Sequence, residues 1–253
     1  MWARTLKERF GTKEPKSLTL KFHVQTSGSA LTTEQPLNNI TRGTLEVLAG
    51  VLGGAQSIGL SCYDEGLGIP TEESVMTALR TQQIIAYESG ITNTVDPLGG
   101  SYFVENMTSK IEKEAMKYVK RIDEMGGAVE AIKNGFIQKE INRQLYMDQE
   151  AIEKGERIIV GVNRYQIEES SSVDIFEVSS EVEKNQIEKL KNLRRVRSNV
   201  EVEKTLRKIR DTAQGDGNLI PPTIDAVRAY ATMGEICDVL RGVFGIYRAP
   251  RLL

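Results

Sequence analysis

Residues 18–28, Leu18-Thr19-Leu20-Lys21-Phe22-His23-Val24-Gln25-Thr26-Ser27-Gly28, decide the fold. The run is short, partly alternating in polarity and bounded by Ser27-Gly28, the pattern of a strand over Leu18–Gln25 closed by a turn. An amphipathic segment follows it. Pro36 suits a first helical turn, Ile40, Leu45, Leu48 and Leu52 supply an apolar face, and Gly53-Gly54 stops it. Ala55–Cys62 is a second strand candidate. Pro70-Thr71 opens the next helix, with Thr71 as its cap and Glu72 and Glu73 well placed in the first turn. Thr92–Val95 reads as a third, weaker strand, and Asp96-Pro97-Leu98-Gly99-Gly100 as a loop. Met107, Ile111, Ala115, Val119, Ile122 and Met125 then mark a long amphipathic helix ended by Gly126-Gly127.

Three strand–helix units in a row imply parallel strands joined by right-handed crossovers. Three such strands cannot cover their own faces and edges. The rest of the chain does not continue the alternation. It offers helices at about 128–134 and 138–154, one strand at Arg157–Val162, and a polar stretch through Ser170-Ser171-Ser172. Two charged helices follow, with apolar faces Ile187, Leu190, Leu193, Val196 and Val202, Leu206, Ile209, Ala213. After Gly215-Asp216-Gly217 and Pro221-Pro222 comes a last helical pair, broken near Gly234. The length suits an eight-stranded barrel of roughly 250 residues, but the pattern does not. The expectation is an α/β chain. Residues 1–126 form the C-terminal part of a (β/α)8 TIM barrel, about three βα units, and residues 127–253 form a mostly helical extension with one strand at 157–162. A complete α/β domain of another topology is the alternative that pattern alone leaves open.

Bulk properties exclude several classes. The formal charge of −2 argues against a nucleic-acid partner. No apolar run approaches the roughly 20 residues of a membrane span. Met1–Lys16 is polar and charged, without the apolar core of a secretory leader. Cys62 and Cys237 stand too far apart in sequence to suggest a zinc spacing or a disulfide framework, so a reducing cytoplasm is expected. His23 is the single histidine, which excludes a His-rich metal site and any two-histidine acid–base mechanism.

Several stretches share one order and spacing with a known family: Pro15-Lys16-Ser17, Lys21–Gly28, Pro36-x-Asn38-Asn39-Ile40-x-Arg42, Gly53-Gly54-Ala55-Gln56-Ser57, Asp64-Glu65-x-Leu67-x-x-Pro70-Thr71, Glu88-Ser89-Gly90, Asp96–Tyr102 and Gly161-Val162-Asn163-Arg164-Tyr165. Together they resemble the large (alpha) subunit of the methylmalonyl-CoA mutases and their isobutyryl-, hydroxyisobutyryl- and ethylmalonyl-CoA relatives, within the adenosylcobalamin-dependent acyl-CoA mutases. The likeness is strong to about residue 165 and looser through Glu235–Arg241 to Phe244-Gly245. It implies a barrel threaded by acyl-CoA, with cobalamin held over its mouth by another domain or subunit. By register this chain matches the last three barrel strands and the helical segment after them. The cobalamin signature Asp-x-His-x-x-Gly is absent. The chain is expected to be a naturally separate C-terminal subunit, with a trimmed piece of a longer protein as the alternative. It would work with the N-terminal half of the large subunit, a cobalamin-binding small subunit and an acyl-CoA substrate.

The resemblance also assigns residues. Gln25 matches a glutamine at the junction of cofactor and substrate, and His23 a histidine near bound CoA. Glu65 matches the glutamate that binds the deoxyadenosyl ribose, where a carboxylate accepts from two vicinal hydroxyls. Lys16 and Lys21 match basic positions that meet the CoA nucleotide, as mobile point charges for phosphate. Where the family has Leu-His-Thr-Asn after Gln-Ser, this chain has Ile58-Gly59-Leu60-Ser61. Ser61 stands at an asparagine that reaches the adenosyl group; a serine would bond there through a water or to a shifted ligand. Gly59 removes an imidazole from the barrel end. The implied reaction is the radical interconversion of methylmalonyl-CoA and succinyl-CoA, with Gln25 and Glu65 as its residues in this chain. An isobutyryl- or 2-hydroxyisobutyryl-CoA mutase component, or a non-catalytic scaffold with a decayed adenosyl site, stays open beside it.

Overall fold

The structure is a computed structural model and describes residues 1–168 and 174–248; the serines at 170–172 lie outside the described residues. It is α/β, mostly helical, with one small parallel sheet. The chain divides into two compact units, Met1–Glu177 and a second from Val178 onward.

The first unit is built around strands β1 (His23–Gln25) and β2 (Ser57–Gly59), paired in parallel with His23 opposite Ser57, Val24 opposite Ile58 and Gln25 opposite Gly59. Helix α2 (Asn38–Leu52) makes the crossover between them. Side chains alternate across a strand, so Val24 and Ile58 share one face while His23, Gln25, Ser57 and Gly59 share the other. The apolar face meets α2. A Cβ at Gly50 would lie 3.4 Å from Ile58 and 3.5 Å from Val24, and one at Gly43, two turns earlier, 2.6 Å from Leu60. Glycine at those positions is what lets the helix lie this close to the sheet. Helix α3 (Glu72–Glu88) buries Ser74, Ala78, Thr81 and Ile85, a single stripe at 3.6-residue spacing. Its cap forms as expected: Thr71 Oγ1 accepts from Ser74 N at 3.2 Å.

Both strands are shorter than their sequence predicts. Hydrogen bonds from Gln56 N to Phe22 O and from Thr26 N to Gly59 O extend the ladder one step at each end, and there it stops. Leu18, expected to open the first strand, instead ends a 3₁₀ turn, Pro15–Leu18. The expected third strand at 92–95 does not form. Gly90 turns the chain left-handed at φ 73°, Ile91–Asn93 is a 3₁₀ turn, and Val95 is 94% exposed. The expected strand at 157–162 is also absent. A lone bridge joins Val160 to Arg164, and the segment folds around Asn163, whose side chain accepts from Ile159 N and donates to the Ile152 and Arg157 carbonyls. In both places no neighbouring strand is present among the described residues to take up the backbone groups, so local turns satisfy them instead.

A helix the sequence reading did not expect, α1 (Trp2–Phe10), opens the chain and ends at Gly11 with φ 64°. Arg9 binds Asp123 in a fork at 2.7 and 2.8 Å, and Arg4 pairs with Glu112. These acids lie on α4 (Tyr102–Glu124), a helix with no buried residue. Helices α5 (Ala128–Lys133) and α6 (Phe136–Glu153) follow. The loop after α6 is tied to the start of α2, because Arg42 donates to Val160 O at 2.7 Å and Gln35 to Tyr165 O at 2.9 Å.

The second unit holds α7 (Ser180–Val196), α8 (Asn199–Ala213), α9 (Ile220–Arg228) and α10 (Met233–Phe244). Ile209, Ala226, Ile236 and Val239 form its core, with Leu206, Leu219, Ala231 and Leu240 packed on them. The last helical pair breaks over residues 229–232, not at Gly234, which lies in the first turn of α10. The stop is Tyr230 at φ 64°, and the restart is a reciprocal cap between Thr232 and Glu235. Among the described residues no helix is long and apolar enough to cross a membrane.

Candidate functional site

The polar face of the sheet carries the candidate site. His23 and Gln25 are exposed, two residues apart on one face of β1, as alternation requires. Across the ladder His23 Nδ1 lies 2.7 Å from Ser57 Oγ. Gln25 Nε2 donates to Ser61 Oγ at a long 3.4 Å. Ser61 is itself fixed from β1, because its N–H donates to Thr26 Oγ1 at 2.8 Å and its hydroxyl to Thr26 O at 3.2 Å. Thr26 is buried, so this anchor is rigid.

Glu65 sits in the turn after β2, exposed, and among the described residues its carboxylate makes no hydrogen bond. It leans over the turn after β1: a Cβ on Gly28 would lie 3.1 Å from its Cγ and 3.2 Å from Oε1. The neighbouring Asp64 holds that turn. Only 3% exposed, Asp64 accepts through Oδ2 from Thr71 N at 2.9 Å and Thr71 Oγ1 at 3.2 Å, while its carbonyl accepts from Leu67 N at 2.8 Å. Its other carboxylate oxygen is buried without a partner. Cys62 is buried beside them, and burial pushes its thiol above the usual range, which suits packing rather than nucleophilic attack.

The structure therefore brings Gln25, Ser61 and Glu65 to the C-terminal end of the two strands, with His23 one step back along β1. Lys16 and Lys21 are not joined to this group. Both are exposed on the N-terminal side of β1, and no hydrogen bond or ion pair among the described residues links either to it. Four residues of the arrangement were not singled out by sequence reasoning: Ser57, Thr26, Gly28 and Asp64. Ser57 and Thr26 matter through strand register, which sequence does not fix. Asp64 carried a signal, since an acid seven residues before a cap threonine can reach it across the turn.

As a donor set, the end of the sheet combines a free carboxylate, a hydroxyl and a carboxamide over two glycines that leave room beside them. This chemistry suits a polyhydroxylated ligand: Glu65 accepts, Gln25 offers both roles, Ser61 accepts because its one proton goes to Thr26 O, and none brings positive charge. Among the described residues no group of three or more His, Cys, Asp or Glu could hold a metal ion.

Residues 1–246 match the family described as methylmalonyl-CoA mutase. The chain is 41% identical to a probable mitochondrial methylmalonyl-CoA mutase of Caenorhabditis elegans, over 100% of this chain and 34% of that protein. It is 40% identical to the methylmalonyl-CoA mutase of Escherichia coli K12, over 99% and 35%. It is 39% identical to the 2-hydroxyisobutanoyl-CoA mutase large subunit of Aquincola tertiaricarbonis, over 98% and 44%. The chain thus spans about a third to under half the length of these relatives.

Proposed function

We propose, from the premise that this chain belongs to the methylmalonyl-CoA mutase family, that it is the C-terminal component of an adenosylcobalamin-dependent mutase interconverting methylmalonyl-CoA and succinyl-CoA. In this reading the two strands are part of a larger barrel. Partner chains supply the remaining strands and most of the cobalamin site, and this chain alone is inactive. The observation that carries the reading is the convergence of Gln25, Ser61 and Glu65 at the C-terminal end of parallel strands, where barrel enzymes place their chemistry.

Bound adenosylcobalamin supplies the radical that starts the rearrangement. The residues of this chain bind and orient. Glu65 accepts hydrogen bonds from the ribose hydroxyls of the adenosyl group, and the unfilled space over Gly28 lets its carboxylate swing to meet them. Ser61 lies on the same side, pinned by Thr26. Gln25 spans cofactor and acyl group with a neutral amide that adds neither charge nor an acidic proton. His23, steadied by Ser57, lies toward the CoA side, and Lys16 and Lys21 offer charge to its phosphates.

Reconstitution tests this. The chain, an N-terminal barrel partner and a cobalamin protein are combined with adenosylcobalamin, and methylmalonyl-CoA is added. Succinyl-CoA and an organic radical signal are expected from the full set and from no smaller one. A well-assembled complex that stays silent, beside an active control, would favour a non-catalytic scaffold. A second substrate reading, isobutyryl- or 2-hydroxyisobutyryl-CoA, is supported by the 39% identity to a 2-hydroxyisobutanoyl-CoA mutase large subunit. Turnover of those thioesters in preference to methylmalonyl-CoA would select it, as would a companion chain without an arginine–tyrosine pair for the methylmalonyl carboxylate. The expected location is the cytoplasm, although similarity to mitochondrial proteins supports the organelle as well.

A further inference from the structure

On the polar face of the sheet one position has no side chain, Gly59, directly opposite Gln25. A Cβ built there would lie 2.1 Å from Gln25 Oε1. Gln25 therefore lies across β2 over the bare Cα of residue 59, with Nε2 3.4 Å from Ser61 Oγ. The hydroxyl of Ser61 has one proton, and it goes to Thr26 O at 3.2 Å, an oxygen with no proton to return. Toward Gln25, then, Ser61 Oγ can only accept. The amide must present Nε2 to it, and Oε1 falls over Gly59. An exposed glutamine without such neighbours would turn either way, because the two ends of an amide are nearly the same size.

We propose that Gly59 and Ser61 are positioning residues that fix the polarity of the Gln25 amide, so that over Gly59 the chain offers its ligand a hydrogen-bond acceptor. The group it takes there is a donor, a hydroxyl or an amide N–H. A thioester carbonyl would meet oxygen against oxygen at that point. The glycine that removes an imidazole from the barrel end thus provides the space in which Gln25 is set. The inference rests on the reading of Gln25 as a ligand-facing residue, but the orientation itself can be tested without that reading.

The full chain is labelled with ¹⁵N at glutamine side chains, and the Gln25 NH₂ pair is assigned by its loss in Gln25→Glu. Gly59→Ala should move that pair by filling the space of Oε1. Ser61→Ala should move it and speed its exchange with water by removing the acceptor. The Gln56 pair, held by Phe22 N and Gly54 O, should stay in place in both. A Gln25 pair that shifts no more than that of Gln56 in either variant overturns the proposal. Gly59 is not left-handed, so alanine fits the strand backbone; if Gly59→Ala fails to fold, Ser61→Ala alone decides. In the reconstituted complex Gly59→Ala should lower kcat about tenfold and change KM for the acyl-CoA by less than about threefold. Unchanged turnover would also overturn the proposal. A wild-type complex without turnover counts against the proposed function and leaves the resonance test to decide this one.

Discussion

Two carboxylates show how differently the fold uses the same group. Glu65 is exposed and its carboxylate has no hydrogen bond among the described residues, so its chemistry is available to a ligand. Replacing it by alanine should weaken adenosylcobalamin binding to the assembled complex about 10- to 100-fold, the value of ~1.5–3 kcal/mol for hydrogen bonds to a charged group. Acyl-CoA binding, followed by calorimetry, should stay at its wild-type value; the reverse order would move the ribose site elsewhere. Glu235 is fully engaged instead. Arg197, whose side chain is 5% exposed, grips it through two N–H groups at 2.5 and 2.8 Å, and Thr232 N and Oγ1 each donate at 2.8 Å. The Arg197 bonds, ahead of those from Thr232, pull its pKa to about 2 from an ordinary 4.5. A lowered folded pKa means the stabilisation is complete above the unfolded value and is lost as pH falls through the folded one. The stability difference between wild type and Glu235→Gln should therefore shrink as pH drops from about 4.5 toward 2, read by denaturant melts of helix signal. Arg197→Ala, which strands a part-buried carboxylate, should cost about 3 kcal/mol at pH 7.

At the scale of elements, every helix after α1 was legible, while of the four expected strands two form, both shortened, and two do not. The apolar stripe that marked α8 in the sequence is the one that faces inward, because a helix satisfies its own backbone and only its burial must be found; that of α2 is met only in part, since Leu45 is 61% exposed and the buried residues are Asn39, Gly43 and Val47. Thr71 was readable as a cap for the same local reason. Its removal tests how much that cap holds: Thr71→Ala loses the bond to Ser74 N and one contact to Asp64, and should destabilise α3 by about 1–2 kcal/mol in urea melts. A strand satisfies its backbone only with a neighbour. Hence Thr92–Val95 and Arg157–Val162, strand-like in composition, close into turns. Helix α1 went unread although Trp2, Leu6 and Phe10 recur at helical spacing; the helix buries no residue, and ion pairs from Arg4 and Arg9 with a bond from Trp2 to Ser17 O tie it down. The Gln25–Ser61–Glu65 grouping needed the parallel register, since residues 25 and 61 lie thirty-six positions apart in the chain.

At the scale of the molecule, the first unit leaves much apolar surface in water. Tyr87 is 85% exposed, Tyr102 95% and Phe103 74%, and β1 and β2 each have one edge without a partner strand among the described residues. Open edges and exposed aromatics are the features from which self-association begins. The isolated chain should therefore elute as oligomers in size-exclusion chromatography with light scattering, and bind a hydrophobic dye. An N-terminal barrel partner should suppress both. A monodisperse monomer with a steep cooperative melt would count against the incomplete-barrel reading. What the sequence by itself determined was the family and most of the inventory: the helices after α1, the Thr71 cap, and which residue types could meet an adenosyl or CoA group. These follow from local periods and motif spacing. What only the tertiary structure decided was the pairing of β1 with β2, and with it that Gln25 lies over Gly59, Ser61 hangs from Thr26 and Glu65 leans on Gly28. Strand register is set by contacts between distant segments, and a single chain of residues carries no local energy that would fix it.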